Sequence, residues 1–148
     1  MKYSLLLALA LLLGACSPGN DTTSEPDLDR LRGQWVVINY WAQWCKPCIK
    51  EIPELNTLDQ KYPQVTVLGV NYDGATGEEL AVQRAKFGIE FTALSNDPAS
   101  QLGTPRPIVL PTTLILDPTG QLSATLVGPQ TLASLVQAIE QPAELSTP

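Results

Sequence analysis

Trp35-Val36-Val37-Ile38-Asn39-Tyr40-Trp41-Ala42-Gln43-Trp44-Cys45-Lys46-Pro47-Cys48 changes character halfway along. Trp35 to Trp41 is a nearly continuous apolar and β-branched run bounded by Gly33, the pattern of a central strand covered on both faces. It leads directly into a CxxC pair. Beyond Cys48 the residues Ile52, Leu55, Leu58 and Tyr62 recur at steps of three and four, which predicts a helix with one apolar face, ending before Pro63. A second strand is expected over Val65 to Asn71. Two buried strands around one helix read as a right-handed βαβ crossover, so the sheet should begin parallel.

Further along, Glu78 to Phe87 reads as a helix, with Glu78 and Glu79 in its first turn and Gly88 past its end. Thr92 to Val109 carries Pro98, Gly103, Pro105 and Pro107 with no sustained period, so it should be irregular or hold one short strand. Thr113 to Asp117 and Gln121 to Val127 flank Asp117-Pro118-Thr119-Gly120, a type I turn signature, and should form an antiparallel hairpin. Leu132, Leu135, Val136 and Ile139 follow Thr131, a candidate N-cap, and predict a packed terminal helix. No internal repeat is visible.

The 148 residues suffice for one domain with its own core. Nine Lys plus Arg stand against fifteen Asp plus Glu, a balance that argues against nucleic-acid binding, which needs clustered cations. Histidine is absent from the chain. That removes Ser-His-Asp and Cys-His catalysis, His-ligated zinc and imidazole-held haem.

The three cysteines divide into an isolated Cys16 and the 45/48 pair. Lys2, the apolar run Leu5 to Leu13 and the small residues Gly14 and Ala15 make an export signal over residues 1–15, too short to span a bilayer. Leu13-Gly14-Ala15-Cys16 resembles the bacterial lipobox, which implies a lipidated Cys16 and anchoring in a lipid bilayer without a spanning helix. Ser17, where inner-membrane lipoproteins of the enteric type carry Asp, leans toward the outer membrane. Residues 16–27 are polar and read as a flexible tether, 28–141 as the folded domain and 142–148 as a tail.

A cysteine placed where a buried strand turns into a helix meets unpaired backbone N–H groups and the positive end of the helix dipole. Both lower a thiol pKa, and the Lys46 ammonium adds to them. Cys45 is thus the expected nucleophile. Cys48, one turn later and nearer the core, is placed to resolve the mixed disulfide and close a Cys45–Cys48 disulfide. Pro47 fits the first helical turn and stiffens the loop, and Trp44 would flank the sulfur. Zinc would need two more N or S ligands, which the domain lacks, so no metal is expected. Haem attachment would need a His where Ile49 stands. A static staple closing so short a loop would stabilise little by chain entropy.

Asn39 to Cys48 resembles the active-site segment of thioredoxin-fold proteins, particularly the exported TlpA/ResA-like branch. Leu28 to Gly33, Glu51-Ile52-Pro53 and Val109-Leu110-Pro111-Thr112-Thr113 extend the likeness over Leu28 to Gln141. The resemblance implies an α/β fold of the thioredoxin-like kind, a three-layer α/β/α sandwich with a mixed sheet of four to five strands flanked by helices. It implies that Pro111 is cis and that Leu110 and Pro111 bind an extended peptide. Where cytosolic thioredoxins carry a buried Asp, this chain has Asn39, which cannot exchange a proton, and the likeness to the TlpA/ResA-like branch assigns proton assistance to Glu51 instead.

The expected function is that of a thiol-disulfide oxidoreductase reducing protein disulfides on the periplasmic side of a bacterial membrane, without a cofactor. Its partners would be protein disulfide substrates, apocytochrome c among them, and a membrane thiol-disulfide relay protein as electron donor. Two rivals remain. One is a non-catalytic peptide-binding module whose disulfide is structural. The other is a redoxin-type peroxidase, which needs a peroxidatic cysteine in a loop of its own.

Overall fold

The computed structural model describes residues 27–140, so the export signal, Cys16 and the tail lie outside the described residues. A 3-10 turn at Leu28–Leu31, capped by Asp27, leads into strand β1 (Trp35–Trp41) and helix α1 (Lys46–Lys61). Strand β2 (Val65–Asn71), helix α2 (Gly77–Phe87) and strand β3 (Thr92–Leu94) follow, then β4 (Thr112–Leu116), β5 (Leu122–Val127) and helix α3 (Leu132–Glu140). The strands form one sheet in the order β3-β2-β1-β4-β5. β1 pairs parallel with β2 and antiparallel with β4, so the crossover and the hairpin expected from sequence share the central strand. The fold is thioredoxin-like.

Alternate residues of β1 serve opposite faces, as the period of a strand demands. Val37 and Trp41 pack with Ile115 against Cys48, Ile52, Leu55 and Leu58 of α1 and Leu135, Ala138 and Ile139 of α3. Val36, Ile38 and Tyr40 pack with Leu68, Val70, Leu114 and Leu116, where Leu28, Leu31, Leu102 and Leu110 cover them. One outer layer is therefore helical. The other is built from the 3-10 turn and the chain between β3 and β4.

That connecting chain is fastened by polar contacts rather than by regular structure. Arg106 donates to Asp97 at 2.8 Å and to the Tyr72 carbonyl at 2.6 Å, and its guanidinium lies 3.9 Å from the Tyr72 ring centroid. From beneath, Tyr40 donates its hydroxyl to Asp97 at 2.6 Å. Burial first, then the Asp97 carboxylate, pushes the Tyr40 phenol well above its ordinary range and keeps it protonated.

The β4–β5 turn follows the type I reading. Gly120 donates to the Asp117 carbonyl at 2.8 Å, while the Asp117 carboxylate accepts from the Thr119 and Gln121 backbone N–H groups. Gly120 has a φ of 84°, which glycine adopts without a Cβ penalty. The entry to β1 is tied to the same turn: Gly33 donates to the Pro118 carbonyl at 2.8 Å, and Arg32 donates to that of Thr119. The CxxC thus lies at the end of β1 away from this turn.

Candidate active site

Cys45 is the N-cap of α1, and its Sγ accepts from the Cys48 backbone N–H at 3.3 Å. The cap forms because the strand ends at Trp41 and the Cys45 N–H turns back to the Ala42 carbonyl at 3.0 Å. Pro47, with no N–H to lose, fits the first turn. Cys45 and Cys48 are joined in a disulfide with an S–S distance of 1.99 Å. Cys45 is 5% exposed and Cys48 fully buried, so Cys45 is the member a second molecule can approach. Lys46 and Pro47 are exposed beside them.

Trp44 is 60% exposed, and its indole N–H donates to the Asp73 carboxylate at 3.0 Å. Asp73 was not singled out from sequence. It lies two residues beyond the end of β2, the end of a parallel pair where functional groups gather, and that position was the available signal. The Leu110–Pro111 peptide bond is cis, as the resemblance implied. Pro111 is buried and Leu110 half-buried, at the entry to β4.

Glu51, three residues after Cys48 on the inward stripe of α1, is 2% exposed. It is not a solvated helix carboxylate. Its Oε1 accepts from Asn39 Nδ2 at 2.7 Å, and its Oε2 accepts from the Gln130 backbone N–H at 2.7 Å. Desolvation by burial pushes the Glu51 carboxyl above the usual range, opposed in part by these two donors. Asn39 also donates to Thr113 Oγ1 at 3.1 Å, from the residue facing it across β1 and β4. Gln130 and Thr113 were missed by sequence reasoning. Gln130 contributes through its backbone, which leaves no side-chain signature, and the Thr113 contact depends on strand register.

The arrangement joins a cysteine at a helix N-terminus, a second and fully buried cysteine, and a buried acid on the same helix. Such a set can exchange a disulfide and hold a proton. Among the described residues no group of three His, Cys, Asp or Glu could hold a metal ion, and no helix is long and apolar enough to cross a membrane.

Residues 15–125 match the AhpC/TSA family. Thiol-disulfide oxidoreductase ResA of Bacillus thuringiensis (strain Al Hakam) is 32% identical over 111 residues, which are 74% of this chain and 64% of that protein. The match therefore spans just under two thirds of that relative's length. ResA of Geobacillus kaustophilus is 30% identical over 140 residues, covering 88% of this chain and 78% of the relative. Among solved structures, a secreted thiol-disulfide isomerase from Corynebacterium glutamicum superposes with a TM-score of 0.65 at 25% identity, covering 79% of this chain and 75% of its own.

Proposed function

The chain belongs to the AhpC/TSA family, among its ResA-like thiol-disulfide oxidoreductases, and from that premise we propose that it reduces protein disulfides by a dithiol cycle at Cys45 and Cys48. The observation that carries this is the Cys45–Cys48 disulfide at the N-terminus of α1, with the buried Glu51 one turn beyond Cys48.

In the reduced protein the Cys45 thiolate, stabilised by the first-turn N–H groups, attacks one sulfur of the client disulfide. The client's S–S bond breaks, one client thiolate leaves, and a mixed disulfide forms. Glu51, as carboxylate, takes the Cys48 proton. The Cys48 thiolate then attacks Cys45 Sγ and expels the second client thiolate, and the protein is left oxidised in the state observed here. Leu110 and Pro111 hold the extended client chain, while Trp44, steadied by Asp73, borders the attacked sulfur.

The compartment and partners extend the same proposal. The export signal and the lipobox-like Leu13-Gly14-Ala15-Cys16 support a lipidated Cys16, a tether over 16–27 and a domain held at the periplasmic side of a membrane. A reductant in an oxidising compartment needs electrons, and a membrane thiol-disulfide relay protein would supply them, with apocytochrome c as a candidate client. Fatty-acid labelling that disappears in Cys16→Ala tests the anchor.

Insulin-disulfide reduction tests the chemistry. Wild type should turn over, Cys45→Ser should not, and Cys48→Ser should accumulate a mixed disulfide. A wild type without turnover defeats the proposal and favours the peptide-binding rival. Glu51→Gln should alter the pH dependence of thiol alkylation, and an unchanged profile removes Glu51 from the proton path.

A further inference from the structure

Asn39 holds an asymmetry that the chemistry of its neighbour explains. The side chain is fully buried, and Nδ2 donates to Glu51 Oε1 at 2.7 Å and to Thr113 Oγ1 at 3.1 Å. Its Oδ1 is equally buried and accepts nothing from the protein. The amide is held on its nitrogen side alone, where two acceptors call for a donor, so this setting suits one state of its neighbours. That state is the Glu51 carboxylate, with both oxygens accepting.

Protonation of Glu51 reverses the demand. The Gln130 donor is a backbone N–H that cannot turn, so Oε2 remains an acceptor and the acid proton falls on Oε1. There it would meet the Asn39 N–H, donor against donor. A half-turn about the terminal torsion of Asn39, which is broad and roughly two-fold, exchanges Nδ2 for Oδ1. Oδ1 then accepts from the Glu51 O–H. The Thr113 hydroxyl, free to rotate, changes from acceptor to donor toward the same oxygen. One amide oxygen has two lone pairs and takes both.

We propose that Asn39 is a positioning residue for Glu51 whose amide turns over when Glu51 gains or loses its proton, with Thr113 accepting in one state and donating in the other. This rests on Glu51 being the proton partner of Cys48. An amide is suited to the position because it donates to the carboxylate and accepts from the acid. Leucine does neither, and an aspartate would set a second carboxyl against the first.

The surroundings leave Glu51 as the group that governs the switch. β1 and β4 bring only uncharged side chains to this face, and the turn before α3 brings the Gln130 backbone. On α1 the titratable neighbours are Cys45 and Cys48, joined in the oxidised protein, and Glu54, whose carboxylate accepts from the Leu132 N–H at 2.8 Å. Burial lifts the Glu51 carboxyl, which brings the acid and carboxylate states nearer to neutral pH.

The test uses the oxidised protein, in which neither cysteine titrates, and follows the Asn39 side-chain amide by NMR from about pH 4 to about pH 9, spanning a carboxyl raised from its usual range. Above a single midpoint, nuclear Overhauser contacts should join the Asn39 amide protons to the Thr113 side chain. Below it they should be lost, and Glu51→Gln should remove the midpoint. Asn39→Leu, read through the Glu51 carboxyl carbon, should move the midpoint upward, because the charge-assisted hydrogen bond lost by the carboxylate is stronger than the neutral one lost by the acid. Contacts that persist through the midpoint, no midpoint at all, or an unmoved midpoint in Asn39→Leu each overturn the proposal. Insulin reduction by the same wild-type sample separates the failures: an active enzyme with a fixed amide defeats only the turnover, whereas an inactive one defeats the oxidoreductase reading beneath it.

Discussion

Replacing Glu51 by Gln in the oxidised protein should stabilise it at alkaline pH, although the substitution touches a buried, fully bonded side chain. Gln is the near-isostere of the protonated acid: it has one acceptor for the Gln130 N–H and a donor for the Asn39 amide oxygen once that amide turns. At low pH, where wild-type Glu51 is protonated, the two proteins should therefore differ by about 1 kcal/mol or less, the scale of one imperfect hydrogen bond.

The folded carboxyl is raised, so between its unfolded and folded pKa values the native state binds more protons than the unfolded state. Wild-type stability then falls as pH rises through that window, by about 1.4 kcal/mol for each pKa unit of elevation. Glu51→Gln has no such term. Other groups, Asp117 among them, cancel in the comparison because both proteins carry them. Urea unfolding of the two oxidised proteins at a series of pH values reads the difference directly. Curves that stay parallel refute the reasoning, and a wild type that gains on the variant with rising pH would show that the donors outweigh burial.

Gly69→Ala should cost about 1–3 kcal/mol in the same denaturation assay, because the added Cβ would meet Phe91 Cε2 at 2.8 Å and Trp41 Nε1 at 3.3 Å; a wild-type midpoint would show that the Phe91 ring gives way freely. Tyr40→Phe removes the hydroxyl bonded to Asp97 and should cost about 0.5–1.5 kcal/mol without altering insulin reduction. Arg106→Met keeps much of the side chain's length but loses its donors to Asp97 and Tyr72, so amide exchange over 95–110 should quicken while that of β1 stays slow; uniform acceleration would show that the fastening is not local.

The parts of the fold with a period were legible before the structure. β1 and β2 match their predicted spans, α1 ends before Pro63, and α2 starts one residue earlier than expected, at Gly77. Residues 92–109 held only the three-residue β3, and what shapes the remainder is Arg106 reaching back to Tyr72 across 34 positions, a contact with no local signature. The site divides in the same way. Cys45, Cys48 and Pro47 announce themselves by adjacency and by the strand-to-helix junction. Glu51 could be named through the family likeness, but the backbone donor to its second oxygen is Gln130, 79 residues away. The Asn39–Thr113 contact needed the register of an antiparallel pair, which alternation of apolar residues fixes only to within two residues.

The tie between Gly33 and the Pro118 carbonyl has a consequence for how the molecule presents itself. It fixes the start of β1 at one pole of the sheet, while the disulfide occupies the other, beyond the seven residues of β1 and so about 23 Å away along the strand. The described chain nevertheless begins back toward the disulfide's end: Asp27 lies beside Leu94, Asp97 and Pro98, and Leu94 stands level with Tyr40 through Val70. A pull applied through Asp27 would therefore reach the molecule on the flank beside Asp97 and Tyr40, and would load the 3-10 turn that covers the sheet before it loaded the start of β1.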